Sequence, residues 1–370
     1  MKVKDIAQAI EMIVPLKLAQ DWDNVGLLVG DAKQDVRNIL LTIDVTARVL
    51  AEAKKLGTDL IVSYHPIIWD GLKSVTANGP EGIVYDLIRA KMSVFSIHTA
   101  LDVVTGGVND GLAEIIGIRD GRPLGDYVEN PAPDNYKLVV FVPTNSASKV
   151  SNALFAAGAG HIGNYSHCSF GADGRGTFLP LKGAKPAIGK KGRLETVAEI
   201  RLETIVPADI LDECVRALKK AHPYEVPAFD CFRLRNPAAM FGLGRIGQLE
   251  KPMRLKQIIE KIKKVTHAKS FGLVGDEKKL VRTAAVCAGS CGKIINQVIA
   301  QKADLYLTGE LKHHHALAAQ EAGLACICLS HTVSERFILR KLAGQLEKRI
   351  DNITIKISKQ DSDPFTWKSI

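Results

Sequence analysis

The chain has 370 residues, 46% of them hydrophobic and 24% charged, with a formal net charge of +9. That length exceeds the ~100 to 200 residues of a usual single core, and the composition excludes a disordered or fibrous chain. No apolar run approaches the ~20 residues that cross a bilayer, which leaves out a helical membrane protein.

The opening stretch MKVKDIAQAIEMIVPL sets Ile6, Ile10, Ile13 and Val14 on one helical face among charges, unlike the solid apolar core of a signal peptide. The seven cysteines are odd in number and include no C-x-x-C pair, which fits reduced thiols and a cytoplasmic location. DWDNVG, residues 21–26, reads as a turn, with Trp22 expected to pack on a sheet and substrate contact as its alternative. Three apolar runs follow, each stopping at a polar residue: NILLTIDVT near Asp44, DLIVSYHP at His65 and SVFSIHT at His98. Helical stretches such as ARVLAEAKKLG separate them. The alternation predicts βα units around a largely parallel sheet, whose ligands sit beyond the carboxyl ends of the strands.

The middle of the chain changes character. KLVVFVP, SKVSNALFAAGAG, YSHCSFGADGRGTFLPL, AEIRLETIVP, ADILDECVRALKKA and PAFDCFRL read as strand, helix, strand, strand, helix, strand, the ferredoxin-like order. Pro-rich ENPAPDN (129–135) and RNPAAMFGLG (235–244) make plausible borders. The expected plan is an inserted ferredoxin-like domain at 129–239 interrupting a discontinuous α/β core of 1–128 with 240–370. The densest basic stretch, KGAKPAIGKKGR at 182–193, contains no aromatic residue and reads as a solvated loop, with a phosphate or nucleic-acid contact as the alternative.

Beyond it, TAAVCAGSCG ends in a glycine-rich turn, ADLYLTGE ends at Glu310, and ACICLSHT ends at His331. Backbone N–H groups of Gly289, Ser290 and Gly292 are candidates to cradle an anion at a helix start. In ELKHHHALAAQ, consecutive His313, His314 and His315 point in different helical directions, so one or two at most approach a cleft. The element order parallels that of the first part of the chain, which suggests two related α/β halves facing each other.

The phrase IHTALD (97–102) returns as LSHTVSE (329–335). Spacing of i to i+4 brings His331 and Glu335 to one helical face, half of a metal site, and would bring His98 near Asp102 in the same way. His65 supplies a third strand-end nitrogen. Strand alternation sends its neighbour Tyr64 to the opposite face unless the chain twists there. Three histidines and two carboxylates exceed what one four-coordinate ion requires, and two divalent ions sharing a carboxylate would use them all. Mixed nitrogen and oxygen donors favour zinc, iron, manganese or cobalt over magnesium.

DWDNVGLLVG, SYHP, IHTALDVVTGGVNDGLAE, YLTGELKHH and SHTVSER, in that order, resemble the Nif-three-like family, whose members are also labelled GTP cyclohydrolase I type 2 homologs. AHPYEVPAFD looks like the end of the insert of longer members. The resemblance implies a dinuclear metal centre in a ring-shaped homohexamer, a trimer of dimers. It carries the ligands onto His65, Asp102, His331 and Glu335, with Glu335 as the bridge. This chain has Tyr64 where most bacterial members have a histidine, so Tyr64 ligates as a phenol or phenolate, His98 fills the gap, or one metal is lost.

The expected function is metal-dependent hydrolysis of a nucleotide or other phosphorylated small molecule, with Asp44, Glu310 or a cluster histidine such as His313 as general base. The alternative is a non-catalytic assembly that stores or delivers metal or senses a small ligand.

Overall fold

The computed structural model of the protein describes residues 1–79, 81–129, 135–163, 165–234 and 240–366. Most of ENPAPDN, and residues 235–239 of the second border, lie outside the described residues. The chain divides into two compact units, Met1–Val128 with Met240–Ile370, and Glu129–Ala239.

In the larger unit, a five-stranded sheet runs Gly26–Val29, Ser93–Ser96, Leu60–Ser63, Asn38–Thr42 and Thr354–Ile357 from edge to edge. Only the Gly26–Val29 edge is antiparallel to its neighbour. A six-stranded sheet runs Gly272–Val274, Ala325–Cys328, Leu305–Thr308, Leu280–Cys287, Met240–Arg254 and Ile118–Glu129. Its second, third and fourth strands are parallel, and Gly272–Val274 caps them in the antiparallel sense. Both sheets therefore repeat one order: an antiparallel edge, the strand that leads into His-Thr, then two further parallel strands.

Alternation along these strands explains their continuous apolar spelling. Ile39, Leu41, Leu60 and Val62 of one sheet, and Leu305, Leu307, Ala325 and Ile327 of the other, enter a single shared core. The residues between them pack outward, Leu40 and Ile61 with Val49 and Leu50 of helix Ala47–Leu56, and Tyr306 and Cys326 with Ile295 and Val298 of helix Ile295–Ala300. Strands covered on both faces need no polar side. The first helix, Val3–Glu11, buries Ile6 and Ile10 as its periodicity predicts. No helix among the described residues is long and apolar enough to cross a membrane.

The smaller unit holds an antiparallel sheet ordered Ser169–Phe178, Glu195–Pro207, Asn135–Pro143 and Phe229–Arg233. In chain order its elements run strand, helix Ala147–Ala156, strand, strand, helix Leu211–Ala221, strand. Leu138, Val140, Val142, Leu202 and Val206 of the sheet form one core with Val150, Leu154 and Leu218 of the two helices. The basic 182–193 stretch lies outside helices and strands, with all five of its cationic residues exposed.

Candidate metal centre

The centre is built at the carboxyl ends of parallel strands. His65 follows Leu60–Ser63, Gly289 follows Leu280–Cys287, Glu310 follows Leu305–Thr308, and His331 opens a short helix, His331–Arg336, after Ala325–Cys328. That strand stops at Cys328, one residue before the last apolar residue of its run, Leu329. Ser330 in between adopts φ 77°, a left-handed conformation that costs roughly 1–3 kcal/mol in a non-glycine residue and turns His331 and Glu335 toward the strand ends.

His65, His331 and Glu335 form a group whose potential ligand atoms all lie within 4.8 Å of one another. Nε2 of His65 stands 3.5 Å from one Glu335 oxygen, and Nε2 of His331 stands 3.2 Å from the other. Each imidazole is held from behind by a carboxylate. Nδ1 of His65 meets Asp44 at 2.9 Å, Nδ1 of His331 lies 3.5 Å from Glu310, and Nδ1 of His98 meets Asp23 at 2.9 Å. Fixing Nδ1 selects the tautomer that leaves Nε2 free to ligate. Exchanging Asp44 for asparagine should cost 10 to 100-fold in metal affinity by loosening His65, roughly the effect of removing such a support. A chelator-competition titration measures it.

Electrostatics point the same way. Burial, followed by the charges of Asp102 and Asp44, pushes the Glu335 carboxyl well above its ordinary range. Burial pushes Asp102 up to about 6, against the pull of His98 and the Tyr64 hydroxyl. Burial and the neighbouring His65 hold His331 below its ordinary value. Glu335 is buried, and its Oε2 has no hydrogen-bond partner among the described residues. A carboxylate withdrawn from water, short of donors and surrounded by other acids is stabilised by a cation, so the donor set fits a divalent ion.

The other expected residues fall into place around this triad. His98 and Asp102 lie on helix His98–Val103, at the anticipated i to i+4 spacing, and both line a cavity of about 700 Å³ with Asp44, His65, His331 and Glu335. Gly289, Ser290, Gly292 and Glu310 also line it. Tyr64 is buried in the shared core and donates its hydroxyl hydrogen bond to Asp102. Alternation would part Tyr64 from His65, but the strand ends at Ser63 and the two rings stand 5.0 Å apart. Removing that hydroxyl, as in Tyr64→Phe, should destabilise the protein by about 1–3 kcal/mol, because a buried carboxyl loses its donor. Metal affinity at the triad should change by less than ~10-fold, well short of ligand loss.

Three expectations are corrected. His313 is exposed and does not line the cavity; His315, two residues along the same helix, does, with Nδ1 buried against the Gly292 backbone and unpartnered among the described residues. Trp22 does not pack on a sheet: it is 63% exposed and stands edge-on to His98 at the cavity, where Trp69 also lies. Asp23 is more than a turn residue. It accepts from the Thr99 amide and hydroxyl as well as facing His98, and these contacts outweigh burial and hold its carboxyl below the ordinary range.

A model of the family described as Duf34/NIF3, NGG1p interacting factor 3, matches residues 1–364. The chain is 36% identical over 368 residues to the GTP cyclohydrolase 1 type 2 homolog of Bacillus subtilis, covering 98% of each. It is 38% identical over 344 residues to the protein of that description from Mycobacterium tuberculosis, covering 90% of this chain and 88% of the relative. Among solved structures, a Bacillus cereus protein related to NIF3 matches with a TM-score of 0.82 and 37% identity, over 100% of this chain and 99% of the other.

Proposed function

The chain belongs to the Duf34/NIF3 family, and from that premise and the centre's geometry we propose a metal-dependent hydrolase acting on a nucleotide or another phosphorylated small molecule. The observation that carries this reading is the triad of His65, His331 and the buried Glu335, with both histidines held through Nδ1 by carboxylates. His98 and Asp102 extend the donor set enough for a second ion, with Glu335 as the shared carboxylate. The bound ion would supply Lewis-acid polarisation of a substrate oxygen.

The chain's own residues supply recognition and proton handling. Lys293 and Lys312 line the cavity beside the backbone of Gly289, Ser290 and Gly292, a setting suited to phosphate oxygens. Trp22 and Trp69, both more than half exposed, offer flat faces to a ring. His315 takes the proton-accepting role considered for His313, while Asp44 and Glu310 orient the imidazoles that they face.

The domain plan belongs to the same proposal: a discontinuous metal-binding core of two related halves, 1–128 with 240–370, carrying a ferredoxin-like insert at 129–239. The element order and strand order of the smaller unit support that assignment. Family membership supports a homohexamer, to be weighed by light scattering, and seven free cysteines support a reducing, cytoplasmic setting.

The test is turnover. Protein loaded in turn with zinc, iron, manganese and cobalt is offered GTP, other nucleoside phosphates and simple phosphate esters. Hydrolysis of at least one substrate, abolished by chelation and restored by metal, is expected. Tight metal binding with no turnover on any of them would replace the hydrolase with a metal-storage or delivery protein.

A further inference from the structure

We propose that the Glu129–Ala239 unit contains a binding pocket for a small organic cation, with Glu199 as the counter-charge. On strand Glu195–Pro207, Leu202 and Val206 pack against the two helices, so alternation turns Glu199 to the helix-free face of the sheet. A carboxylate there would ordinarily be solvated. Glu199 is instead 8% exposed, in a cavity of about 260 Å³ walled by Phe178, Leu179, Pro180, Tyr224 and Val226.

The sequence makes room for it. Gly174 lies directly opposite Glu199 on the neighbouring strand, and a Cβ at Gly176 would overlap the Glu199 carboxylate. The carboxylate thus takes the space that a side chain at Gly176 would fill in GADGRG, a stretch whose glycines otherwise weaken a strand.

What Glu199 lacks is a cation. One oxygen accepts from the Tyr224 hydroxyl at 3.0 Å. Arg201, two residues along the same strand, bonds Glu203 at 2.7 Å. Lys185 lines the cavity, but its side chain is exposed, and its backbone N–H donates to Glu225 at 2.9 Å. His222 uses both ring nitrogens as a neutral imidazole, donating from Nε2 to the Phe141 carbonyl at 3.0 Å and accepting the Tyr224 amide at Nδ1 at 3.1 Å. Burial holds its pKa below the ordinary value, which keeps it neutral. Among the described residues no Lys, Arg or His lies within ion-pair distance of Glu199.

A buried carboxylate without a counter-ion is costly, and the cavity that holds this one is walled mainly by aromatic and apolar residues. The Phe178 and Tyr224 rings stand 5.6 Å apart at 61°, and both line the cavity that holds the carboxylate. Carboxylate, aromatic rings and apolar walls together select an ammonium head on a compact apolar body. The volume lies below the ~300 Å³ at which drug-sized pockets begin, which favours a small amine over a nucleotide.

The full-length protein is titrated with butylammonium, phenethylammonium and tetramethylammonium, and with 2-phenylethanol and 3-phenylpropanoate as neutral and anionic counterparts of the aromatic amine. Ligand-observed NMR reads the binding. At least one cation should bind, phenethylammonium at least ~10-fold more tightly than the alcohol, and the acid should not bind. Glu199→Gln, which keeps an acceptor for Tyr224, should weaken the cation at least ~10-fold while leaving metal content unchanged and the ligand-free thermal midpoint no lower. Failure of every cation to bind at ~10 mM, equal binding of amine and alcohol, or unaltered binding to Glu199→Gln would overturn the proposal. The comparison of ligands on the unmodified protein stands even if the variant folds poorly, and none of these results bears on the metal centre.

Discussion

Glu335→Gln is expected to bind divalent metal at least ~100-fold more weakly than the unmodified protein and to lose any metal-dependent turnover. Glu335 is the residue that both free imidazole nitrogens approach, at 3.5 and 3.2 Å, and its two oxygens serve different sides of the centre. The amide keeps the shape but removes the charge and one acceptor. Loss of a supporting carboxylate alone costs about 10 to 100-fold, so loss of a ligand should exceed that. Metal-free stability should move the opposite way. A buried carboxyl lacking a donor at Oε2 is unfavourable without a cation, so the chelated variant should melt no lower than the chelated parent. On adding metal, the parent should gain about 2.7 kcal/mol at a hundred times its Kd, and the variant far less. Thermal melts with and without chelator separate the two effects, and equal metal affinity in parent and variant would remove Glu335 from the centre.

Gly289→Ala is expected to damage the same centre without touching a ligand. Gly289 sits at φ 66°, and a Cβ there would lie 2.6 Å from Glu335 Oε1 and 3.4 Å from His331 Nε2. The backbone has little freedom to yield. The Gly289 amide donates to Ser334 Oγ at 2.9 Å, and its carbonyl accepts from the Gly309 and Glu310 amides at 3.1 and 3.0 Å. The methyl must therefore displace the Glu335 carboxylate. Metal affinity should fall about 10 to 100-fold, as when ligand orientation is lost, and stability by roughly 1–3 kcal/mol from the left-handed backbone. Gly344→Ala is the control, in helix Leu339–Glu347, where an added Cβ meets nothing within 4 Å. It should leave metal binding intact and stabilise by about 0.5–1 kcal/mol. Parallel titrations of the two variants decide the matter, and unchanged metal affinity in Gly289→Ala would mean that the Glu335 position is not what sets binding.

Several parts of this arrangement were legible in the sequence because local rules govern them. Apolar runs stopping at His65, Glu310 and His331 mark strand ends, and parallel strands gather their ends on one side. The four-residue spacing of His331 and Glu335 places both on one face of whatever helix follows, and the helix begins at His331 itself. That His65, His331 and Glu335 meet needs only those two facts and the repeated phrase. What local rules do not contain is which distant side chain stands behind each ligand. Asp23 lies 75 residues before His98 in a stretch that spells an ordinary turn, and only the tertiary fold brings the two together. The histidine cluster shows the same limit at shorter range. Which of His313, His314 and His315 enters the cavity depends on where the helix starts, and a helix beginning at His313 turns that residue to solvent and His315 inward. Tyr64 was legible as an oddity beside His65, but its task as donor to Asp102 appears only once the strand is seen to end before it.

Counting and locating metal ions tests the central claim most directly. Protein purified without added metal is analysed for zinc, iron, manganese and cobalt, and crystals are measured at the absorption edge of whichever element is found. One or two ions per chain are predicted, with anomalous density bounded by His65, His331 and Glu335. Density elsewhere, or no ion even after loading with each metal in turn, would contradict it.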